Sequence, residues 1–211
     1  MEPTDHNRRV WDEAHRPREE GGGAGIPAAV EALLPDLTGK HVLQLQCGTG
    51  EATAELAGLG ALVTGVDSSA EAVAAARERA PAVAFVQGDV HQLPLELRRG
   101  RFDLVFAGEG VLGFLEALDG WVAGIVAALR PGGELILHDE HPVLECLDES
   151  LRWKEDYFDE GRWRLDQVVT AVVQGGLVVQ SLQELPGDSA LLPQTRRVPG
   201  ELLLVARKPE S

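Results

Sequence analysis

The sequence predicts an α/β protein with a mostly parallel sheet and helices on both faces. Three observations carry that expectation. Short apolar runs of strand length at Val42–Gln46, Leu62–Val66, Val83–Gln87, Phe102–Ala107 and Leu135–His138 alternate with helical stretches, the pattern of parallel strands joined by right-handed crossovers. The first run ends in Cys47-Gly48-Thr49-Gly50, and Glu51-Ala52-Thr53-Ala54-Glu55-Leu56 then opens a helical pattern. The second run ends in Asp67, roughly twenty residues beyond the glycine loop, where an α/β nucleotide-type fold carries an acid for ribose hydroxyls.

The elements follow in chain order. Residues 1–37 read as a lead: a polar stretch, then Gly21-Gly22-Gly23-Ala24-Gly25 as a hinge, then a short helical pattern from Pro27 to Leu34. The polar stretch is either a disordered tail or a mobile arm; Trp11 and His15, four apart, would share a face of a helix and edge a pocket. The strand, glycine turn and helix start at 42–51 aim unpaired backbone N–H groups and a positive dipole end above the strand. After Asp67, Ser68-Ser69-Ala70-Glu71 has capping-box spacing, and Pro81 ends the alanine-rich helix behind it. Leu118, Trp121, Val122, Ile125 and Leu129 recur at helical spacing until Arg130-Pro131-Gly132-Gly133, which makes Trp121 a core residue. Residues 147–165 are charged and aromatic without a clean period, read either as an acceptor-site insertion or as aromatics packed on the sheet. Gln167–Val173 suits strand or helix by composition; helix is preferred because Leu177–Leu182 and Leu202–Ala206 make better strands, an antiparallel pair at the sheet edge.

Composition narrows the partners. With 211 residues and 44% hydrophobic content the chain suits one main domain, 38–211. No apolar run reaches the roughly 18–20 residues that cross a bilayer, and no signal-peptide core is present, so a cytoplasmic enzyme with no membrane partner is expected. A formal charge of −15, relieved locally only at Arg98-Arg99-Gly100-Arg101, disfavours nucleic acid as a partner. Cys47 and Cys146 are the only cysteines and form no metal-type pair; Cys47 suits packing within the glycine loop.

Taken together, Val42-Leu43-Gln44-Leu45-Gln46-Cys47-Gly48-Thr49-Gly50, Thr64-Gly65-Val66-Asp67, Gln87-Gly88-Asp89-Val90, Phe102-Asp103-Leu104-Val105-Phe106 and Leu129-Arg130-Pro131-Gly132-Gly133-Glu134-Leu135 resemble the motif series of class I S-adenosylmethionine-dependent methyltransferases. The resemblance is firm from about Gly39 to Asp139. It implies a Rossmann-like seven-stranded sheet with an antiparallel last strand and S-adenosyl-L-methionine as cofactor. The chain departs from the common pattern at Gln44, where an acid is usual, and at Gln46, where a glycine is usual. The Leu45-Gln46-Cys47 form and His141-Pro142 resemble one bacterial subgroup, which often has an aromatic residue where Ser68 stands.

The resemblance implies roles for particular residues. Gly48 and Gly50, with Gln44, Gln46 and Cys47 around them, would lie beneath the methionine part. Asp67, followed by Ser68, would hold the ribose, and Gly88, Asp89 and Val90 would meet the adenine edge. The Gly108 carbonyl would face the methionine amino group. Ligands of open α/β sheets bind over the carboxyl ends of strands, which brings Glu109 and the run His138-Asp139-Glu140-His141 toward the acceptor. His141 and then His138 are candidate general bases, with a structural role for either left open. Strand alternation would point His138 and Glu140 one way and Asp139 and His141 the other, against a metal site.

Ala107-Gly108-Glu109-Gly110 lacks the Pro-Pro-aromatic signature of base methylation, so a small-molecule acceptor is expected, by analogy in bacterial secondary metabolism. Two other readings remain at this level. One is a non-methylating protein of the same fold that binds the same cofactor. The other is a nicotinamide-dependent oxidoreductase, against which stand the missing third spaced glycine and the short chain.

Overall fold

The computed structural model of the protein describes residues 25–108, 110–148, 150–186 and 198–210. Seven strands form one sheet in the order β3-β2-β1-β4-β5-β7-β6: β1 His41–Leu45, β2 Leu62–Asp67, β3 Ala84–Gln87, β4 Phe102–Gly108, β5 Leu129–Glu140, β6 Val178–Leu185 and β7 Glu201–Arg207. The pairs among β1 to β5 are parallel; β7 runs antiparallel between β5 and β6. The expected α/β class, strand count and antiparallel last strand are all present. Strand order reverses between β1 and β4, which makes the crevice above their carboxyl ends the topological switch point where such sheets take ligands.

Five α-helices accompany the sheet among the described residues: α1 Ala28–Glu31, α2 Glu51–Gly58, α3 Ala70–Arg79, α4 Leu118–Ala128 and α5 Leu165–Gln174. Alternation along the strands sorts the core onto two faces. Leu43, Leu45, Val105, Leu135 and Leu137 face one way, packing with Trp121 and Ile125 of α4 and Val168 and Val172 of α5. Val42, Leu104, Phe106 and Ile136 face the other, with Val30 of α1 and Ala52 and Leu56 of α2. Val30 and Leu37, from the lead, belong to this second cluster.

Local differences from the sequence reading have physical causes. The cap of α3 is Ser69, whose Oγ accepts from the Ala72 N–H at 3.1 Å, one residue beyond the expected Ser68. Ser69 rather than Ser68 turns inward because Asp67 Oδ1 already accepts from the Ser69 N–H at 2.9 Å, closing the turn there. Strand β5 starts at Leu129 and runs through Pro131-Gly132-Gly133, with a register shift against β4 between Phe102 and Leu104 that accommodates this segment. Gln167–Val173 lies within a helix, as preferred. Among the described residues no helix is long and apolar enough to cross a membrane.

Candidate active site at the switch point

The glycine loop leaves β1 through three successive departures from right-handed backbone: Gln46 at φ 49°, Gly48 at φ 52° and Gly50 at φ 85°. Gly50 is required twice over, by its φ and because a Cβ there would lie 2.9 Å from Ala76 Cβ, where α2 and α3 pack. Gln46 occupies the left-handed position without that freedom, a conformation that costs a side-chain-bearing residue on the order of 1 kcal/mol or more. The loop is braced from outside by Arg79, which donates to the Thr49 carbonyl at 3.0 Å and pairs with Glu51 at 2.6 Å. Nothing in the sequence pattern marks Arg79 for this, since it reads as a helix C-terminal cation.

Asp67 at the tip of β2 grips this loop. Its Oδ2 accepts from the Gly48 N–H at 2.9 Å while Oδ1 takes the Ser69 N–H, so one buried carboxylate joins the glycine loop to the start of α3. Ser68, half-buried beside it, has its carbonyl held by Gln87 Nε2 at 3.2 Å. At the tip of β3, the Gly88 N–H donates to the Asp67 carbonyl at 2.8 Å, and glycine is needed there because a Cβ would meet Pro94 Cγ at 2.8 Å. Asp89 caps the 3₁₀ turn Val90–Gln92 through the His91 N–H at 2.8 Å and also lies 2.9 Å from His91 Nδ1. His91 Nε2 accepts from the Glu116 N–H at 3.1 Å. That bond fixes the proton on Nδ1, so the imidazole donates to Asp89 Oδ1 and leaves Oδ2 as the carboxylate's second acceptor. His91 was not singled out in the sequence; its placement two residues after Asp89 is the signal for an Asx-type cap.

Two predicted residues turn away from the crevice. Gln44 shares the face of Val42 beneath α2, is 4% exposed, and its Oε1 accepts from Thr53 Oγ1. Cys47 packs its side chain among Val73, Ala76 and Phe85, and burial, reinforced by the charge of Asp67, pushes its thiol far above the ordinary range. Any part Cys47 takes in binding is through its backbone. Gly108 ends β4 opposite His138 of β5.

Beyond β4 and β5 lies a cavity of about 210 Å³ walled by the 110–115 segment, Asp139, Glu140, Pro142, Glu145, Arg162 and Trp163. Asp139, 2% exposed, shapes it: the carboxylate accepts from the Gly110 N–H at 2.7 Å, the Leu112 N–H at 2.7 Å and the Glu140 N–H at 2.8 Å. Burial raises its pKa above the ordinary carboxylate range, against the pull of these three donors. Trp163 donates from Nε1 to the Leu115 carbonyl at 2.7 Å, fixing the indole as a wall. Arg162 is engaged by Cys146, the Asp156 carbonyl and Glu155, with Glu145 3.7 Å from its Nε. Residues 147–165 thus contribute Arg162 and Trp163 to the cavity, whereas Trp153 and Phe158 are exposed.

Neither candidate histidine lines this cavity. His141 caps the 3₁₀ turn Pro142–Cys146, its Nδ1 accepting from the Val143 N–H at 3.2 Å and its Nε2 lying 3.0 Å from Glu184 Oε1. With Nδ1 committed as an acceptor, its ring has no free lone pair for a base. His138 turns to the opposite face, its Nε2 2.9 Å from Glu201 Oε2 and its Nδ1 buried without a hydrogen-bond partner. Glu109, Trp11 and His15 lie outside the described residues.

The comparisons with known proteins agree with this architecture. Residues 42–133 match the family described as a methyltransferase domain. An uncharacterized methyltransferase of Synechocystis sp. is 38% identical over 117 residues, 55% of this chain and 53% of that protein. A trans-aconitate 2-methyltransferase of Paracidovorax citrulli is 36% identical over 132 residues, 62% of this chain and 46% of that protein. The chain spans about half the length of the curated relatives it matches. A crystal structure of an S-adenosylmethionine-dependent methyltransferase from Mesorhizobium loti superposes with a TM-score of 0.72 at 23% identity, covering 85% of this chain and 96% of that one. Residues 42–133 are thus similar to a methyltransferase domain, and the fold is the one seen in the Mesorhizobium loti structure.

Proposed function

We propose that the protein is an S-adenosylmethionine-dependent methyltransferase acting on a small acceptor that is neutral or cationic. The observation that carries the reading is the left-handed glycine loop at the switch point, held through the Gly48 N–H by the carboxylate at the tip of β2. The residues fit the cofactor: left-handed backbone at Gly48 and Gly50, carboxylates at Asp67 and Asp89, and an orphaned buried acceptor, Gln46 Oε1, at the end of β1. S-adenosylmethionine supplies a methyl group already activated on a sulfonium. What remains for the protein is to bind, align and exclude water.

In this reading Gly48 and Gly50 keep the backbone low beneath the methionine part, with the Gly108 carbonyl toward its amino group. Asp67 accepts from the ribose hydroxyls beside Ser68. Asp89, through the oxygen that His91 leaves, and the Val90 N–H read the adenine edge next to Gly88. Of the two histidines His138 alone keeps a bare ring nitrogen, but it does not line the acceptor cavity, so this reading assigns a base role to neither.

The cavity beyond β4 and β5 holds the acceptor. Asp139, Glu140 and Glu145 face it against a single Arg162 whose charge Glu155 already meets. A tricarboxylate such as the compound in the Paracidovorax relative's name would meet like charge there, which supports an amine, phenol or other uncharged nucleophile instead. A cytoplasmic setting belongs to the same reading and is supported by Cys47 and Cys146, both free thiols.

Calorimetric titration with S-adenosylmethionine, S-adenosylhomocysteine and NADH side by side tests the cofactor. Binding of the first two and not the third is expected; binding of the nicotinamide alone overturns the reading. A screen of amine, phenol and carboxylate acceptors then tests the cavity, and transfer to carboxylates only would overturn its charge argument. Tight cofactor binding with no transfer to any acceptor would favour a non-methylating protein of this fold.

A further inference from the structure

Gln46 follows β1 at the start of the glycine loop, and its side chain crosses the switch point. Its Nε2 donates to the Val111 carbonyl at 3.3 Å, joining the end of β1 to the segment that follows β4. Asp139 holds the same segment from the other side, through the N–H groups of Gly110 and Leu112 that flank Val111. Residues 110–112 are thus pinned between a carboxamide from the cofactor side and a carboxylate from the cavity wall. The other end of the carboxamide, Oε1, is buried with no partner. A buried acceptor of this kind is stabilised by a ligand N–H or ammonium donor. Gln46 also holds a left-handed φ of 49° that a glycine would adopt freely, so the side chain is kept at a conformational cost.

From this arrangement we infer that Gln46 is a positioning residue that ties occupancy of the cofactor crevice to the order of the acceptor wall. The inference rests on the proposed function for what fills the crevice. A donor on the bound ligand satisfies Oε1 and fixes the carboxamide plane. Nε2 is then held in line with the Val111 carbonyl, and the 110–115 wall, already clamped by Asp139, loses its residual freedom. By linkage, an acceptor that orders this wall tightens cofactor binding by the same factor. A glycine at position 46 could form neither contact.

Amide hydrogen exchange on the whole chain, with and without saturating S-adenosylhomocysteine, tests this. In the wild type, ligand should slow exchange several-fold both at 47–51 and at 110–115. In Gln46→Gly, whose backbone conformation suits glycine, protection at 47–51 should persist while that at 110–115 falls to less than half. Gln46→Met, which keeps bulk but neither polar end, should behave as the glycine variant does. Protection at 110–115 that survives either substitution, or that is missing from the wild type while 47–51 is protected, overturns the coupling and leaves the cofactor reading intact. Absence of binding heat and of protection at both segments in the wild type overturns the cofactor reading and the coupling together. Loss of S-adenosylhomocysteine binding in the variants alone makes Gln46 a plain binding group and overturns the coupling.

Discussion

The two ends of the sheet treat their carboxylates differently. At the amino end, Asp103 is met by side-chain cations: Arg130 Nε at 2.7 Å and Lys40 Nζ at 3.9 Å, together with the His41 N–H at 2.9 Å. Burial works to raise its pKa, but Arg130 and the His41 amide hold the carboxyl below its usual range. At the carboxyl end, Asp67 and Asp139 accept from backbone N–H groups of loops that would otherwise have unsatisfied donors. One end uses charge to fasten side chains to each other. The other uses it to shape backbone, which is what a ligand site requires.

The sharpest way to break the comparison is Asp139→Ala. Removing the carboxylate strands the buried Leu112 donor and frees those of Gly110 and Glu140, and should cost about 3 kcal/mol or more in urea unfolding. Asp139→Asn, with one acceptor oxygen in place of two, should fall between. A loss under about 1 kcal/mol in the alanine variant would mean that the loop finds other partners, and the contrast between the ends would fail. Next comes Asp67→Ala, which should weaken S-adenosylhomocysteine binding by about 1.5–3 kcal/mol through lost charge-assisted hydrogen bonds. Unchanged affinity in calorimetry would remove Asp67 from the ribose.

What was legible in the sequence follows from the same physics. Alternation, the glycine loop and Asp67 were readable because each is a local rule: buried strands are apolar, left-handed turns take glycine, and the acid sits at a strand tip. The placement of Gln44 under α2 was equally local in principle, since it shares the face of Val42, but its position in the glycine-loop motif points to the ligand instead. His91, Arg79 and the Asp139 clamp were not readable. Each depends on a partner 25 to 30 residues away, Glu116, Thr49 or Leu112, and single-residue identity does not report a long-range pairing. The partners of His138 and His141 likewise needed β7 and β6 in place to supply Glu201 and Glu184.

At the amino end the expected effects are smaller. Asp103→Ala removes a partly exposed network and should cost about 1 kcal/mol in stability, shrinking in high salt, with no change in S-adenosylhomocysteine affinity. A change in that affinity larger than twofold would show that the two ends are not independent.

The smallest effect is a pH dependence. Burial lowers the pKa of His141 from 6.5, against the opposing pull of Glu184, and geometry gives the reason: Nδ1 accepts from the Val143 N–H, and protonating it would put two donors face to face. The unfolded chain takes up this proton near pH 6.5 while the native state resists to a lower pH. Its contribution to stability is therefore complete above about pH 6.5 and declines as pH falls from there toward the lowered native value. His141→Asn keeps an acceptor for the Val143 N–H without a titrating ring. Between pH 7.5 and 5.5 the melting temperature of the wild type should fall more steeply than that of the variant. Parallel curves would mean that the imidazole takes up its proton equally in both states, and the cap would then have to rest on contacts other than the Nδ1 lone pair.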